Sequence, residues 1–267
     1  MTHRQTDYIM KKIFTIVSCI LLASNVVLAQ GARMVTSGVI EFEKKVNMHA
    51  IAKQELGTPP YSYRVLEVDE YKKNTPQFMT FNSKLVFGDN KSLFTPLPIS
   101  SPTYVNLYDN PMGMQLNTVY ADLNTNSLVA QKEIYGDLFI VKDSTRKITW
   151  RLTGETQEVA GYTCRRANGI ILDSVYLVAF YTDKIWFSGG PESFTGLPGM
   201  ILKLAIPYEN VVWTATKVTE QTIPPATLIP PKKGTSIGPK ALYDKLKDHM
   251  KDWNTIGDYE LKVFMLL

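Results

Sequence analysis

Cysteine and histidine are scarce in this 267-residue chain, which contains two cysteines and three histidines. His49 and His249 stand far apart in unrelated sequence contexts. No HExxH, CxxC or EF-hand pattern is present, so the sequence does not support a zinc site, a thioredoxin-like site or a calcium loop. A serine hydrolase motif is also missing, because the nearest stretch, residues 189–194, does not read G-x-S-x-G. We therefore expect no cofactor, no metal and no enzymatic activity.

The chain also lacks a large excess of one charge and a long apolar run. Its 29 basic and 25 acidic residues give a net charge of +4, which does not predict a nucleic-acid surface. The apolar run at 13–28 has about sixteen residues, whereas a membrane-spanning helix needs about 20. We therefore expect no transmembrane segment in the mature chain.

That short apolar run is typical of a signal peptide. It follows Lys11 and Lys12 and ends at Ala29, which gives a basic region, an apolar region and a cleavage site in the usual order. We predict a signal peptide over 1–29, with Met10 as an alternative start, and one domain over 30–267. A lipoprotein anchor at Cys19 is disfavoured, because only six residues separate it from Lys12 and an apolar region needs about 7–15.

Most of the remaining chain has the period-two pattern of strands. Such runs recur about every ten residues, at 84–87, 92–94, 118–123, 127–134, 137–143, 147–152, 164–172 and 175–182. No alternation of strands with helices is present, so a doubly wound fold is disfavoured. The pattern predicts a mainly β (β-rich α+β) protein. Its architecture would be a curved antiparallel sheet, arranged as one meander, or a half-open barrel.

Two segments complete the predicted fold. Residues 40–46 alternate between apolar and polar side chains, and Lys44 interrupts the apolar face of this first strand. Residues 239–253 carry apolar side chains at spacings of four, four and three, which predicts one amphipathic C-terminal helix. The apolar tail 261–267 fits either a last strand or simply the end of the chain.

Three motifs carry a resemblance to a known family. Residues 196–201 read GLPGMI, residues 161–167 read GYTCRRA, and Trp150 precedes both. Their order and distances resemble the GLPGLI family over roughly residues 38–255. The resemblance implies an exported envelope protein of Bacteroidota without an assigned activity, often encoded near outer-membrane receptor genes.

The GLPGMI stretch has the composition of a tight turn. Pro198 and Gly199 occupy the two central positions that a type II turn prefers. Two interpretations remain open. Either the loop closes one end of the sheet, with Phe194 and Leu197 in the core, or it forms a lip where Phe194 and Met200 contact a ligand. The candidate binding residues are Phe194, Leu197, Pro198, Gly199, Met200 and Cys164.

Cys164 also has two interpretations. A buried cysteine behaves as a small apolar side chain with inert chemistry. An exposed one between Arg165 and Arg166 would have a favoured thiolate, able to bind a soft metal or to pair with another chain. The buried state is the better fit, because exported proteins seldom keep an exposed free thiol.

These observations favour a non-enzymatic binding module of the periplasm or cell envelope, for an apolar ligand, a peptide or an outer-membrane partner. The alternative is a copper-type metal-handling protein that uses Cys164 with methionines such as Met200 and Met48, since thiolate and thioether ligands select copper(I). A hydrolase with a carboxylate pair is a third hypothesis, for which the sequence names no pair.

Overall fold

The computed structural model describes residues 34–56, 65–98 and 111–267. The predicted signal peptide, residues 1–29, and Cys19 lie outside these ranges. All of the described residues except Met34 belong to one compact unit, Val35–Leu267.

Within these described ranges, twelve strands form one open sheet in the order β12-β6-β5-β4-β3-β2-β1-β11-β10-β9-β8-β7. The strands are β1 Gly38–Asn47, β2 Phe78–Gly88, β3 Lys91–Pro96, β4 Thr118–Asp122, β5 Ser127–Ile134, β6 Asp137–Ser144, β7 Thr149–Val159, β8 Tyr162–Ile171, β9 Val175–Thr182, β10 Met200–Ile206, β11 Val211–Glu220 and β12 Thr235–Ile237. The predicted fold class, mainly β with an open sheet and a C-terminal helix, is confirmed.

The sheet consists of two antiparallel meanders. Strands β1 to β6 form the first and β7 to β11 the second, and the two are joined where β1 pairs with β11. The short strand β12 adds to β6 in parallel. Strands β2 and β3 form a hairpin, in which Asp89 and Asn90 adopt φ angles of 51° and 58° and so form the two-residue turn that suits right-twisted strands.

Five helices accompany the sheet in the described ranges: α1 Met48–Leu56, α2 Val65–Asn74, α3 Pro111–Met114, α4 Pro239–His249 and α5 Asn254–Leu266. The predicted amphipathic helix is α4, which buries Leu242 and Leu246. The apolar tail that the sequence left open belongs to α5. None of the helices in these ranges combines the length and the apolar character that crossing a bilayer demands.

The main core lies on one face of the sheet. Alternate β1 side chains, such as Ile40, Phe42 and Val46, point into it, and helices α1, α4 and α5 contribute to the same cluster. The opposite face carries a smaller cluster in which Ile223 and Leu228, from the chain after β11, cover Val86 and Tyr120. Each face therefore has its own covering segment.

Helix α5 is attached to the sheet by a charged contact as well as by its apolar residues. Lys262 Nζ lies 2.6 Å from Glu209 Oε1, in the short 3-10 turn Pro207–Glu209 that joins β10 to β11. The Glu209 side chain is buried, so loss of the Lys262 contact would leave an uncompensated buried charge.

Candidate functional site

The loop between β9 and β10 holds four of the six predicted site residues, and a fifth, Met200, begins β10. We call residues 187–199 the signature loop. Phe194 and Leu197 within it, and Met200 at the start of β10, are completely or almost completely buried, whereas Pro198 is exposed. The Phe194 ring lies 6.3 Å from the Trp213 ring, centroid to centroid. This burial is the arrangement that the core interpretation predicts, and the binding role of these residues stays a prediction.

The turn in the signature loop differs from the predicted type II turn. The Gly199 N–H donates to the Leu197 carbonyl at 2.8 Å, which closes a three-residue turn around Pro198. Gly199 has a φ of 139°, and a Cβ there would lie 2.1 Å from the Thr182 carbonyl oxygen. Only glycine fits this close approach to β9.

Polar contacts hold the loop in place at several points. Trp150 Nε1 on β7 donates to the Thr195 carbonyl at 3.0 Å, and Ser188 Oγ donates to the Leu197 carbonyl at 2.6 Å. Trp150, which helped to carry the family resemblance, is therefore a direct anchor of the loop.

Glu192 is a buried carboxylate in the same loop, and it belongs to a polar network under the loop. Its Oε2 accepts a hydrogen bond from Asn117 Nδ2 at 3.3 Å, and Asn117 Oδ1 accepts one from Gln115 Nε2 at 2.7 Å. Lys44 Nζ donates to the Gln115 carbonyl at 3.2 Å and makes a longer contact to the Gly113 carbonyl at 3.5 Å. The network thus links β1, the chain after α3 and the signature loop.

Lys44 sits between two aromatic rings. It pairs across the sheet with Phe81 on β2 and Trp213 on β11, and its Nζ lies 5.8 Å and 5.3 Å from the two ring centroids. Cation–π attraction therefore offsets part of the cost of burying this ammonium group.

Burial governs the protonation of this pair. Burial lowers the pKa of Lys44, an effect that the negative charge of Glu192 partly offsets. Burial raises the pKa of Glu192, while Lys44, Asn117 and the more distant cations Lys132 and Arg146 act in the opposite direction. Shifted pKa values of this kind are found both at active sites and in structural networks.

The size of the cavity beside Lys44 and Glu192 bears on whether they form an active site or a structural network. A cavity of about 10 Å³ is lined by Lys44, Glu192, Ser83 and Trp213. Within the described part of the chain, Ser83 Oγ and Trp213 Nε1 have no hydrogen-bond partner. The cavity has room for about one water molecule, so it cannot admit an organic substrate. The buried network therefore connects the signature loop and the chain after α3 to β1.

Cys164, on β8, is completely buried and forms no disulfide. Its Sγ contacts the Tyr162 carbonyl oxygen at 3.4 Å. Burial raises the pKa of the thiol to about 12, so the thiolate that a metal or an oxidant would need is disfavoured. No group of three or more His, Cys, Asp or Glu side chains suited to a metal ion occurs among the residues at 34–56, 65–98 and 111–267.

A larger opening lies at the surface, and its lining includes the residue that directly precedes the signature loop. It is a groove of about 480 Å³ between the β2–β3 turn, the chain before β1 and the chain after β11. We call it the Trp186 groove, and its lining residues are Thr36, Ser37, Gly88, Asp89, Asn90, Trp186, Thr222, Ile223 and Pro225. The Trp186 side chain is 71% exposed although its backbone is fixed, since its N–H donates to the Val35 carbonyl at 2.8 Å.

Neither the network nor the groove was predicted from the sequence. A signal for the network was visible, because Lys44 interrupts an otherwise apolar strand face. The sequence around Glu192 and Trp186 has no comparable pattern. The exposure of Trp186 depends on the path of the chain after β9.

A family profile described as "Protein of unknown function (Porph_ging)" matches residues 169–203, from the end of β8 through the signature loop into β10. The predicted resemblance is therefore supported over this segment, at the level of a family of unknown function. The GLPGLI assignment itself stays a prediction. Among curated proteins, none matches this chain.

Two solved structures of PNGF-II are similar to this chain, with 16% and 15% identity and TM-scores of 0.48 and 0.49. The similarity covers 79% and 78% of this chain but only 32% of PNGF-II, so the chain spans about a third of that protein's length. An uncharacterized conserved protein from Thermus thermophilus is similar over 81% of this chain and 98% of its own, with 8% identity and a TM-score of 0.37. Similarity this distant says nothing about function.

Proposed function

We propose that this chain is an exported, non-enzymatic binding module of the periplasm or cell envelope, which holds a peptide segment of an envelope partner protein in the Trp186 groove. The single observation that carries the proposal is the groove itself, about 480 Å³ in volume and bordered by a tryptophan that is 71% exposed. Ligand sites commonly span about 300–1,000 Å³, and exposed tryptophans are frequent energetic centres of protein interfaces.

The lining of the groove favours a peptide. Trp186, Ile223 and Pro225 can receive one apolar side chain of the ligand. The remaining lining is mainly short and polar. Ser37 Oγ and Asn90 Nδ2 already donate within the protein, to the Gln221 carbonyl and to Asn124 Oδ1. The hydroxyl and carboxylate groups of Thr36, Thr222 and Asp89 can pair with the backbone of an extended peptide. A wholly apolar ligand would desolvate these groups without replacing their hydrogen bonds, which costs about 1–3 kcal/mol for each group.

The cellular location rests on the sequence of residues 1–29, which has the order of a signal peptide. The copper-type alternative has no comparable support, because the thiol of Cys164 is buried and its pKa is raised to about 12.

The test is a selection of 12-residue peptides from a phage-displayed random library, with the mature protein as bait. Synthetic copies of the enriched peptides are then titrated by fluorescence polarisation. We expect Trp186→Ala to weaken binding by at least about ten-fold, as is typical of an interfacial tryptophan. Tyr208→Ala is the matched control, because Tyr208 is 72% exposed and does not line the groove.

Two results would overturn the proposal. One is equal affinity of the enriched peptides for wild type and Trp186→Ala. The other is the absence of any enriched peptide while arrayed oligosaccharides bind in a Trp186-dependent manner, which would make the groove a carbohydrate site.

A further inference from the structure

A second cavity, of about 40 Å³, lies between β5, β6 and the first turn of α4. It shares no lining residue with the Trp186 groove. Lys132, Arg146 and Ser193 form one side of it, and Leu128, Val141 and Leu242 contribute an apolar side. Ser193 belongs to the signature loop, next to Glu192.

The polar lining of this cavity has more hydrogen-bond donors than the described residues of the chain pair. Lys132 Nζ donates to the Phe264 carbonyl at 2.8 Å, and an Arg146 guanidinium nitrogen donates to the Met265 carbonyl at 2.8 Å. An ammonium group has three N–H donors and a guanidinium has five, so each cation keeps further donors beyond this contact. The Ser193 side chain is 2% exposed, and its Oγ has no partner in the described part of the chain.

The local charge is also suited to an anion. Helix α4 begins at Pro239, which lines the cavity, and the helix has neither a side-chain cap nor an acidic residue in its first turn. Its N-terminal partial positive charge is therefore uncompensated. Burial lowers the pKa of Lys132 to about 7 and that of Arg146 to about 10, whereas the negative charges of Asp143 and Glu192 act in the opposite direction on both cations.

We propose that this cavity binds a small carboxylate that carries a short apolar group. The carboxylate accepts hydrogen bonds from Arg146, Lys132 and Ser193, and the apolar group packs on Leu128, Val141 and Leu242. A guanidinium is well suited to this role, because its planar fork matches the two oxygens of a carboxylate.

The size of the cavity limits the ligand. About 40 Å³ is room for roughly three water molecules, which corresponds to a carboxylate with one further carbon. Asp143 lines the cavity too, where its exposed side chain adds a negative charge. That charge opposes an anion and is partly screened by solvent.

The test is isothermal titration calorimetry of the mature protein with sodium acetate at pH 6, with sodium chloride added to hold the ionic strength constant. We expect one saturable site. Ser193→Ala removes a hydroxyl that makes no hydrogen bond within the described residues, so the variant should fold, and we expect its acetate affinity to fall by about ten-fold.

Asp143→Asn provides an independent measurement, because it changes an exposed side chain and removes the opposing charge. We expect it to tighten acetate binding, whereas Ser174→Ala, in the exposed turn between β8 and β9, leaves the affinity unchanged. The proposal is overturned if acetate shows no saturable binding or binds Ser193→Ala as tightly as wild type. Tighter binding of inorganic phosphate than of acetate also overturns it.

Discussion

Glu192 Oε2 accepts a hydrogen bond from Asn117 Nδ2 at 3.3 Å, and this contact joins the signature loop to the chain between α3 and β4. Because Gln115 connects Asn117 to Lys44, both of these segments are linked to one charged side chain of β1. The buried network therefore determines how the loop is seated, and its protonation should affect the stability of the fold.

Glu192→Gln should change how stability depends on pH. Burial raises the pKa of Glu192 above its ordinary value of 4.5, so the folded state holds this proton over a range in which the unfolded state has lost it. The contribution of Glu192 to the free energy of unfolding therefore falls as the pH rises from about 4.5 toward the raised pKa. We measure the free energy of unfolding of wild type and Glu192→Gln in urea from pH 5 to 7. As the pH rises over this range, we expect the wild type to lose stability relative to Glu192→Gln. Parallel curves would contradict this.

Gly199→Ala should destabilise the protein by at least about 2 kcal/mol, because the φ of 139° is unfavourable for alanine and the new Cβ would lie 2.1 Å from the Thr182 carbonyl oxygen. Gly154→Ala is the matched control. A Cβ at Gly154 meets no atom within 4 Å, and we expect a change of no more than about 0.5 kcal/mol. Urea unfolding of both variants measures the contrast, and similar values for the two would refute it.

Phe194→Ala should cost about 3–5 kcal/mol of stability, because the ring is completely buried and packs near Trp213. Tyr208→Ala removes a ring that is 72% exposed and should cost far less. Thermal unfolding measures both variants. A loss below about 1 kcal/mol for Phe194→Ala would remove the core role and favour the ligand-contacting interpretation of the signature loop.

Cys164 should be unreactive in the folded protein, because its side chain is fully buried and burial raises the pKa of the thiol to about 12. The measurement is the uptake of a chromogenic disulfide reagent at pH 8, taken as the difference between wild type and Cys164→Ala. We expect no difference in buffer and one thiol equivalent in concentrated urea. Rapid uptake in buffer would show that the thiol is accessible.

Local patterns predicted many of the strands between β1 and β9. The predicted run 175–182 coincides with β9, and 127–134 coincides with β5. Strands β11 and β12 and helices α1, α2 and α3 were missed, and the apolar tail could not be assigned to a helix. A short run such as 261–267 consists mostly of apolar residues, so its periodicity does not distinguish a strand from a helix. The sequence predicted a single meander, whereas the structure has two. The pairing of β1 with β11 that joins them cannot be predicted from the residue pattern of either strand.

The candidate sites were predictable only in part. The burial of Lys44 could be suspected from its place on an apolar strand face, but its connection to Glu192 depends on contacts between distant parts of the chain. The same holds for Ser193, whose neighbours Lys132 and Arg146 come from other elements. Sequence periodicity reports which face a side chain occupies, and it carries no information about which loop covers that face.

The pairing of β1 with β11 also bears on the order in which the chain folds. A chain is synthesised from its N-terminus, and β1 can pair with β2 as soon as the two strands are available. Its other edge pairs with Val211–Glu220, so it has no partner until most of the chain has been made. Such long-range pairing slows folding and leaves a strand edge open to wrong partners. During synthesis, β1 is therefore the strand that we expect a chaperone to need to shield.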